Sequence, residues 1–350
     1  MKKTFILSLA LSLLFVSCKK DNPEPQPVFS LENGVFILNQ GNFTAGNASL
    51  SYYQYDGDTL FNDLFFDVNG VPLGDVAQSI TLNTSTAYIV VNNSGLIYVV
   101  DSKTVEYKAT ISGLTSPRYM TMVSASKAYV SDLYSNAISI IDLNTNVISG
   151  QIEVGRSTEE MAMVGPDVFV ANWSGYGQTL RNDKILVINS LNDQIVDSIA
   201  VGLEPNSMVV DKNGYLWVLC SGGYLNEEIP TLWKIYPPTR EVIKTYTFSD
   251  LNTSPDNLEK NGAGDSLFFL NRGVYRMSFS DNELPGQAFI EEGNDKFFLY
   301  LGIDPNNGNV YASDALDYAQ NGFVYRYGAS GNLLEQLKVG IIPGPFAFNY

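Results

Sequence analysis

The chain has 350 residues, with 37 Asp and Glu against 21 Lys and Arg and no histidine, so its formal net charge is −16. Binding to nucleic acid depends on Lys and Arg that displace counterions from phosphates, and this charge therefore disfavours a nucleic-acid partner. Without histidine the chain lacks the usual general base and the commonest transition-metal ligand. We therefore expect a protein that is not an enzyme and that holds neither a metal nor a catalytic cofactor.

The first predicted element in the chain is a lipoprotein signal peptide over residues 1–17. Lys2 and Lys3 begin it, and residues 5–16 form an apolar run that is too short to span a bilayer, which needs about 20 residues. The run ends in FVSC, and a cysteine directly after a small residue is where a bacterial lipoprotein signal is cleaved and lipidated. We therefore expect Cys18 to carry a lipid anchor. The alternative is an ordinary signal peptide followed by an incidental cysteine.

Residues 18–30 are predicted to be the lipidated cysteine and a tether. The segment KKDNPEPQPVFS has three prolines and no apolar pattern, which is typical of an extended linker. We expect residues 31–350 to form one domain. Cys220 lies in the apolar run LWVLC, so we expect it to be buried rather than paired in a disulfide.

From residue 34 onward the chain repeats a unit of four short segments with β-strand composition. The clearest segment places an aromatic residue, which we call the anchor, before small or β-branched residues. The anchors are Phe36, Tyr88, Tyr129, Phe169, Trp217, Phe268 and Tyr311. Their successive separations are 52, 41, 40, 48, 51 and 43 residues. Four strands in each unit, at a spacing of roughly 40–45 residues, is typical of a β-propeller blade.

The sequence therefore predicts an all-β, seven-bladed β-propeller with four antiparallel strands in each blade. No inner strand precedes the first anchor, whereas the C-terminal segment PGPFAFN has no anchor after it. We expect this segment, residues 343–349, to supply the inner strand of the first blade and so close the ring. The outer strand is expected over residues 59–70 in the first blade and over residues 285–293 in the sixth.

We letter the strands of a blade A to D, from the central channel outwards. The B–C loops and D–A connections then emerge on one face, the loop face, and the A–B and C–D turns on the other, the turn face. The C–D turns are short and polar, but the B–C loops hold aromatic rings among Asn, Gln, Ser and Gly. Aromatic rings among amide side chains suit the binding of a large, mostly uncharged ligand. The alternative is that these rings only fill the spaces between neighbouring loops. The ligand-binding residues selected on this basis are Gln40, Asn42, Phe43, Asn92, Arg118, Tyr134, Asn172, Trp173, Tyr176, Tyr224, Arg272, Asp314 and Tyr318.

Several longer segments carry a resemblance to a known family. They include ILNQGNFTAGNASLSYY (37–53), LGDVAQS (73–79), TSPRYM (115–120), KAYVSDLY (127–134), DPNNGNVYASDALDYAQNGFVYRY (304–327) and VGIIPGPF (339–346). The chain resembles the BtuG-type surface lipoproteins of Bacteroides-type bacteria, which are seven-bladed propellers that capture cobalamin (vitamin B12). The resemblance implies a lipoprotein anchored in the outer membrane and facing the cell exterior. It also implies tight binding of cobalamin or a related corrinoid, which is passed to a TonB-dependent outer-membrane transporter.

The residue types of the loop face are compatible with that ligand. Cobalamin is a large macrocycle with amide side chains, for which Asn, Gln, Ser and Tyr are suitable partners and aromatic rings a suitable surface. Because no histidine can displace the axial base, we expect the ligand to be held by its periphery. Two alternatives stay open, a glycan- or protein-binding surface propeller and a metal-dependent lactonase or lyase. The second needs acids from several inner strands, and only Glu159 and Glu160 cluster near a strand start in the sequence.

Overall fold

The computed structural model describes residues 30–171 and 181–350, which form 28 strands and one helix. The strands make seven four-stranded antiparallel sheets, so the predicted seven-bladed propeller is confirmed. The predicted signal peptide, Cys18 and nearly all of the tether lie outside the described residues. So do three of the predicted ligand-binding residues, Asn172, Trp173 and Tyr176.

Each blade consists of one sheet, and the strands are numbered in chain order. Blade 1 contains β1 (Gly34–Asn39), β2 (Ser49–Gln54), β3 (Thr59–Phe61) and β28 (Pro343–Asn349). Blades 2 and 3 contain β4 (Ala77–Asn83), β5 (Thr86–Val91), β6 (Leu96–Asp101), β7 (Tyr107–Ser112), β8 (Pro117–Met122), β9 (Lys127–Asp132), β10 (Ala137–Asp142) and β11 (Val147–Glu153). Blades 4 and 5 contain β12 (Met161–Val164), β13 (Asp167–Ala171), β14 (Lys184–Asn189), β15 (Gln194–Ala200), β16 (Pro205–Val210), β17 (Leu216–Cys220), β18 (Thr231–Tyr236) and β19 (Glu241–Thr247). Blades 6 and 7 contain β20 (Asp256–Lys260), β21 (Ser266–Leu270), β22 (Gly273–Ser278), β23 (Ile290–Glu291), β24 (Phe298–Ile303), β25 (Val310–Asp314), β26 (Asn321–Tyr327) and β27 (Leu333–Ile341).

The C-terminal strand closes the ring, as the sequence predicts. β28 pairs antiparallel with β1, with Gly34 opposite Asn349 at one end and Asn39 opposite Pro343 at the other. The amide of Asn349 donates to the carbonyl oxygen of Leu31 and, at 3.0 Å, to that of Ser102. Both ends of the described chain therefore lie on the turn face.

The core of the protein lies between the blades. The B strands β1 and β17 are buried along their whole length because neighbouring blades cover both of their faces. The outer strands β15 and β19 leave most residues exposed. The described residues form seven apolar clusters, each of which lies between two adjacent blades. Cys220 belongs to one of them and is fully buried, and burial raises the pKa of its thiol.

The prediction of a strand over residues 59–70 was wrong beyond Phe61. β3 ends there, and a helix, α1 (Leu64–Asn69), follows. Leu64, Phe65 and Val68 pack together between blades 1 and 2. A strand would have turned Leu64 and Phe65 to opposite sides and exposed one of them, whereas a helix buries both. No helix in residues 30–171 and 181–350 has the length and apolar character needed to cross a bilayer.

The outer strand of blade 6 is also shorter than predicted. Within residues 285–293 only Ile290 and Glu291 pair with β22, as β23. Phe289, just before it, packs under the guanidinium group of Arg276, which lies 3.9 Å from the ring centroid. The Phe289 N–H also donates to the Val274 carbonyl of β22 at 2.7 Å, so a backbone hydrogen bond and the contact with Arg276 together hold Phe289.

Candidate functional site

Two adjoining cavities open on the loop face. The channel cavity, about 420 Å³, lies at the mouth of the central channel. It is lined by residues at or near the starts of the inner strands of blades 2 to 7 and by the B–C loop of blade 5. The groove, about 610 Å³, lies over blade 6 between its short B–C turn and the two flanking D–A connections. Ser254, Asp256 and Leu299 line both cavities, so the two form one continuous cleft.

Hydrogen bonds between neighbouring inner strands set the shape of the channel cavity. Adjacent blades share no backbone ladder at the channel, so polar side chains bridge from one inner strand to the next. These bonds run from Ser79 Oγ to the Arg118 carbonyl at 2.7 Å, from Asn206 Nδ2 to the Pro255 carbonyl at 3.0 Å and from Asn257 Nδ2 to the Leu299 carbonyl at 3.2 Å. The cavity wall is thereby held by groups on a rigid ring of strands, which suits a binding site.

Arg118 is held at the cavity wall by an ion pair with Glu159. Its Nε lies 2.7 Å from Glu159 Oε1, and its Nη1 donates to the amide oxygen of Gln78. The two charged side chains are 17% and 5% exposed. Burial alone would lower the pKa of Arg118, but the Glu159 carboxylate more than offsets this and raises it. Burial raises the pKa of Glu159 despite Arg118, so the pair carries a large desolvation cost.

Glu160 and Asp256 line the same cavity, and Glu259 lies close to Glu160. Glu160 Oε2 accepts a hydrogen bond from the Met208 backbone N–H at 2.9 Å. Burial raises the pKa of Glu160 well above its ordinary value, and the nearby Glu259 and Asp256 raise it further. Burial also raises the pKa of Glu259, to about 7. In the part of the chain that the structure describes, no three His, Cys, Asp or Glu side chains are arranged to hold a metal ion.

The stability of the protein should fall as the pH rises through the pKa values of these carboxyl groups. Glu259 loses its proton near its ordinary pKa of 4.5 when unfolded but near 7 when folded. The folded state therefore binds more protons between those values, and the free energy of unfolding decreases as the pH rises through them. We expect Glu259→Gln to flatten this decrease and to be more stable than the wild type at pH 8, by roughly 1–2 kcal/mol.

Urea unfolding at pH 5, 6.5 and 8 measures this effect. Glu241→Gln, in the exposed outer strand β19, is the matched control and should follow the wild-type curve. Parallel curves for the wild type and Glu259→Gln would contradict the prediction.

Among the described residues, five aromatic side chains project from the loop face. They are Phe43, Tyr134, Tyr224, Phe297 and Tyr318, all exposed. Tyr224, which is 69% exposed, lines the channel cavity, and Phe297, which is 54% exposed, lines the groove. The turn face also has exposed rings, those of Tyr107, Tyr236 and Tyr350, but none of the three lines the channel cavity or the groove. The loop face therefore combines the cleft with aromatic surface.

Of the other predicted residues, three lie at or beside the cleft. Arg118 lines the channel cavity, and Arg272 lines the groove. The Gln40 amide donates to the hydroxyl of Tyr300, which lines the channel cavity.

Two other predicted ligand-binding residues are buried, and their side chains form hydrogen bonds that hold neighbouring loops in place. The Asn92 amide donates to Ser116 Oγ and to the Pro117 carbonyl, each at 2.9 Å. Asp314 is 1% exposed and accepts a hydrogen bond from the Leu316 N–H at 2.8 Å. Neither residue lines the channel cavity or the groove. Each stands at the end of a B strand, where a short polar side chain satisfies nearby backbone groups.

Asn42 and Tyr318 connect two loops of the same face. The Asn42 amide donates to the carbonyl oxygen of Tyr318, which joins the B–C loop of blade 1 to that of blade 7. Tyr318 has a φ of 61°, in the left-handed region that non-glycine residues seldom adopt. The contact therefore ties together the two loops that carry the exposed rings of Phe43 and Tyr318.

The residues missing from the predicted set are those of the inner strands. Gln78, Asp256 and Tyr300 all line the channel cavity. Each stands near the start of an A strand, in VAQSI, SPDNLEK and LYLGI, and the first residues of an A strand surround the channel mouth. The signal in the sequence that points to these three residues is therefore their position near the start of a predicted A strand.

The fold is shared with solved structures of low sequence identity. A quinonprotein alcohol dehydrogenase-like protein from Bacteroides thetaiotaomicron VPI-5482 has a TM-score of 0.73 at 15% identity, over 92% of this chain and 79% of that one. Kuenenia stuttgartiensis hydrazine synthase has a TM-score of 0.60 at 14% identity, over 76% and 87%. The periplasmic gluconolactonase of Pseudomonas aeruginosa has a TM-score of 0.66 at 11% identity, over 90% and 99%. At such identities the likeness shows the fold alone.

Comparison by sequence places the chain in a family. None of the curated proteins matches it significantly. A family described as a domain of unknown function, DUF5074, matches over residues 33–339, which is nearly the whole propeller. This chain therefore belongs to the DUF5074 family.

Proposed function

We propose that this protein is a surface lipoprotein that binds cobalamin or a related corrinoid and passes it to a TonB-dependent outer-membrane transporter. The observation that carries the proposal is the cleft of the loop face, where hydrogen-bonding walls lie beside exposed aromatic rings. The segment-by-segment resemblance to the BtuG-type lipoproteins supports the same ligand.

The chemistry of the cleft suits a macrocycle with amide arms. Gln78, Asn206 and Asn257 bring amide groups to the channel cavity, and Tyr300 brings a hydroxyl. Among the described residues, each of these groups forms one or two hydrogen bonds. An amide or a phenol has more donor and acceptor positions than these bonds use, so part of its capacity is left for the primary amides of the ligand. Tyr224, beside them, offers a flat ring for an apolar edge of the macrocycle. Arg118 keeps its ion pair with Glu159 and shapes the wall rather than supplying a free charge.

The point at which the described chain begins is compatible with capture at a cell surface. The described chain begins at Ser30 on the turn face, where the Leu31 N–H donates to the Lys103 carbonyl at 2.8 Å. A lipid anchor at Cys18 would hold the turn face toward the membrane and leave the loop face accessible. Replacement of Cys18 by serine should then move the protein from the membrane fraction to the soluble fraction.

Calorimetric titration of the unlipidated protein with cyanocobalamin tests the ligand. We expect tight one-to-one binding, and we expect Tyr224→Ala to weaken it about tenfold, which corresponds to about 1.4 kcal/mol. Tyr107→Ala, which removes an exposed ring from the turn face, is the matched control and should bind like the wild type. The absence of binding at micromolar protein would refute the proposal, and a maltooligosaccharide titrated in parallel tests the glycan-binding alternative.

Lactone hydrolysis is the second candidate function. It is favoured by the convergence of Glu160, Asp256 and Glu259 at the channel, in a fold shared with a gluconolactonase. Incubation with gluconolactone, with and without divalent cations, tests it directly. Hydrolysis that is lost in Asp256→Asn would support an enzyme, and a rate equal to that of buffer alone would exclude this substrate.

A further inference from the structure

Arg272 provides the groove with a positive charge that forms no ion pair with the described residues. It is the one cationic side chain among the described residues that line the groove, and it is exposed. Within residues 30–171 and 181–350 it forms no ion pair and no side-chain hydrogen bond. Arg118, the arginine of the channel cavity, is by contrast paired with Glu159 at 2.7 Å. The available cation of the cleft is therefore Arg272.

Arg272 lies in a turn whose backbone conformation is unfavourable for any residue other than glycine. The B–C connection of blade 6 consists of two residues, 271–272, between β21 and β22. Arg272 has a φ of 53°, and such a conformation costs a residue other than glycine on the order of 1 kcal/mol. Because the turn is so short, it leaves open the space that the groove occupies.

The other groups of the groove determine which anion it can accept. Three carboxylates also line it, those of Asp250, Asp256 and Glu292. Each already accepts a hydrogen bond from a backbone N–H, at 2.7, 2.7 and 2.6 Å respectively. Their charges nonetheless disfavour an anion with two negative charges, such as a phosphate monoester. A phosphodiester has only one negative charge. The exposed ring of Phe297, which also lines the groove, suits an aromatic base that is attached to the phosphodiester.

We infer that the groove is the subsite for the nucleotide arm of the ligand, in which the Arg272 guanidinium group binds the phosphodiester. This inference rests on the proposed function, because the nucleotide arm of cobalamin has one phosphodiester and one aromatic base. The amide arms of the macrocycle then reach the channel cavity through the opening beside Asp256, which both cavities share. A guanidinium group can form two parallel hydrogen bonds with the phosphodiester oxygens.

Titration with two corrinoids isolates this contact. Cyanocobalamin has the nucleotide arm, and dicyanocobinamide lacks it together with its phosphodiester. We expect the wild type to prefer cyanocobalamin by about tenfold or more, and Arg272→Ala to lose most of that preference through weaker binding of cyanocobalamin alone. Arg272→Lys should recover part of it, since an ammonium group supplies the charge but not the planar fork.

Arg276→Ala is the matched control. It removes the same charge from the adjacent strand β22, where Arg276 packs on Phe289 outside the groove. We expect both affinities to stay at the wild-type values in this variant. Circular dichroism of each variant confirms that the propeller is intact.

The possible results of these titrations distinguish a failure of the nucleotide-arm subsite from a failure of the proposed function. If the wild type binds neither corrinoid, the proposed function itself fails. If the wild type binds both corrinoids equally, or if Arg272→Ala weakens both alike or neither, the nucleotide-arm subsite is refuted while corrinoid binding stands. A selective loss of cyanocobalamin affinity in Arg272→Ala, absent in Arg276→Ala, establishes the subsite.

Discussion

Deletion of residues 343–350 is expected to prevent the protein from folding. These residues supply β28, the inner strand of blade 1, and without it the buried strand β1 has an unpaired edge at the centre of the ring. The deletion also removes Phe346 and Phe348, whose ring centroids lie 5.9 and 5.5 Å from that of Tyr311. Domains are stable by only about 5–15 kcal/mol, and the loss of a whole paired strand is of that order.

Soluble yield, circular dichroism and thermal unfolding of the truncated chain measure this effect. A rearranged chain, in which residues 343–350 precede Leu31 through a short Gly-Ser linker, is the matched control. It has the same strand and side chains, and Asn349 and Leu31 are hydrogen-bonded in the structure, so we expect it to fold. A truncated chain that unfolds cooperatively at the wild-type temperature would contradict the role assigned to β28.

Replacement of Glu159 by glutamine is expected to lower the free energy of unfolding by about 3 kcal/mol. The substitution keeps the shape of the side chain but leaves the Arg118 guanidinium group, 17% exposed in its side chain, without its carboxylate. Gln78 remains as a hydrogen-bond partner, but an amide does not neutralise the charge. A buried charge that has lost its partner is costly because neither water nor an opposite charge compensates it.

Two further variants test this explanation by urea unfolding at pH 7. Arg118→Met combined with Glu159→Leu removes both charges and should recover most of the lost stability. Glu32→Gln breaks the exposed ion pair between Glu32 and Lys103 and should leave the unfolding midpoint unchanged. If Glu159→Gln unfolds at the wild-type midpoint, the ion pair does not stabilise the channel cavity.

The seven-bladed architecture could be predicted from the amino-acid sequence alone. The anchors from Phe36 to Tyr311 reveal seven units because each B strand is buried on both sides, and that burial leaves a local run of apolar residues. Ring closure by residues 343–349 followed from a count of strands. The local pattern was misleading over residues 64–69, where it predicted a strand. The segment is a helix because only a helix buries both Leu64 and Phe65.

The site depended on the tertiary structure. Glu159, Asp256 and Tyr300 are far apart in the chain, and only the ring of inner strands brings them to one cavity. Arg118 and Arg272 are alike in the sequence, yet Arg118 is paired at 2.7 Å, whereas Arg272 forms no ion pair with any residue that the structure describes. Strand periodicity is a local property that a sequence displays. The availability of a charge depends on distances across the fold, and a linear sequence does not contain them.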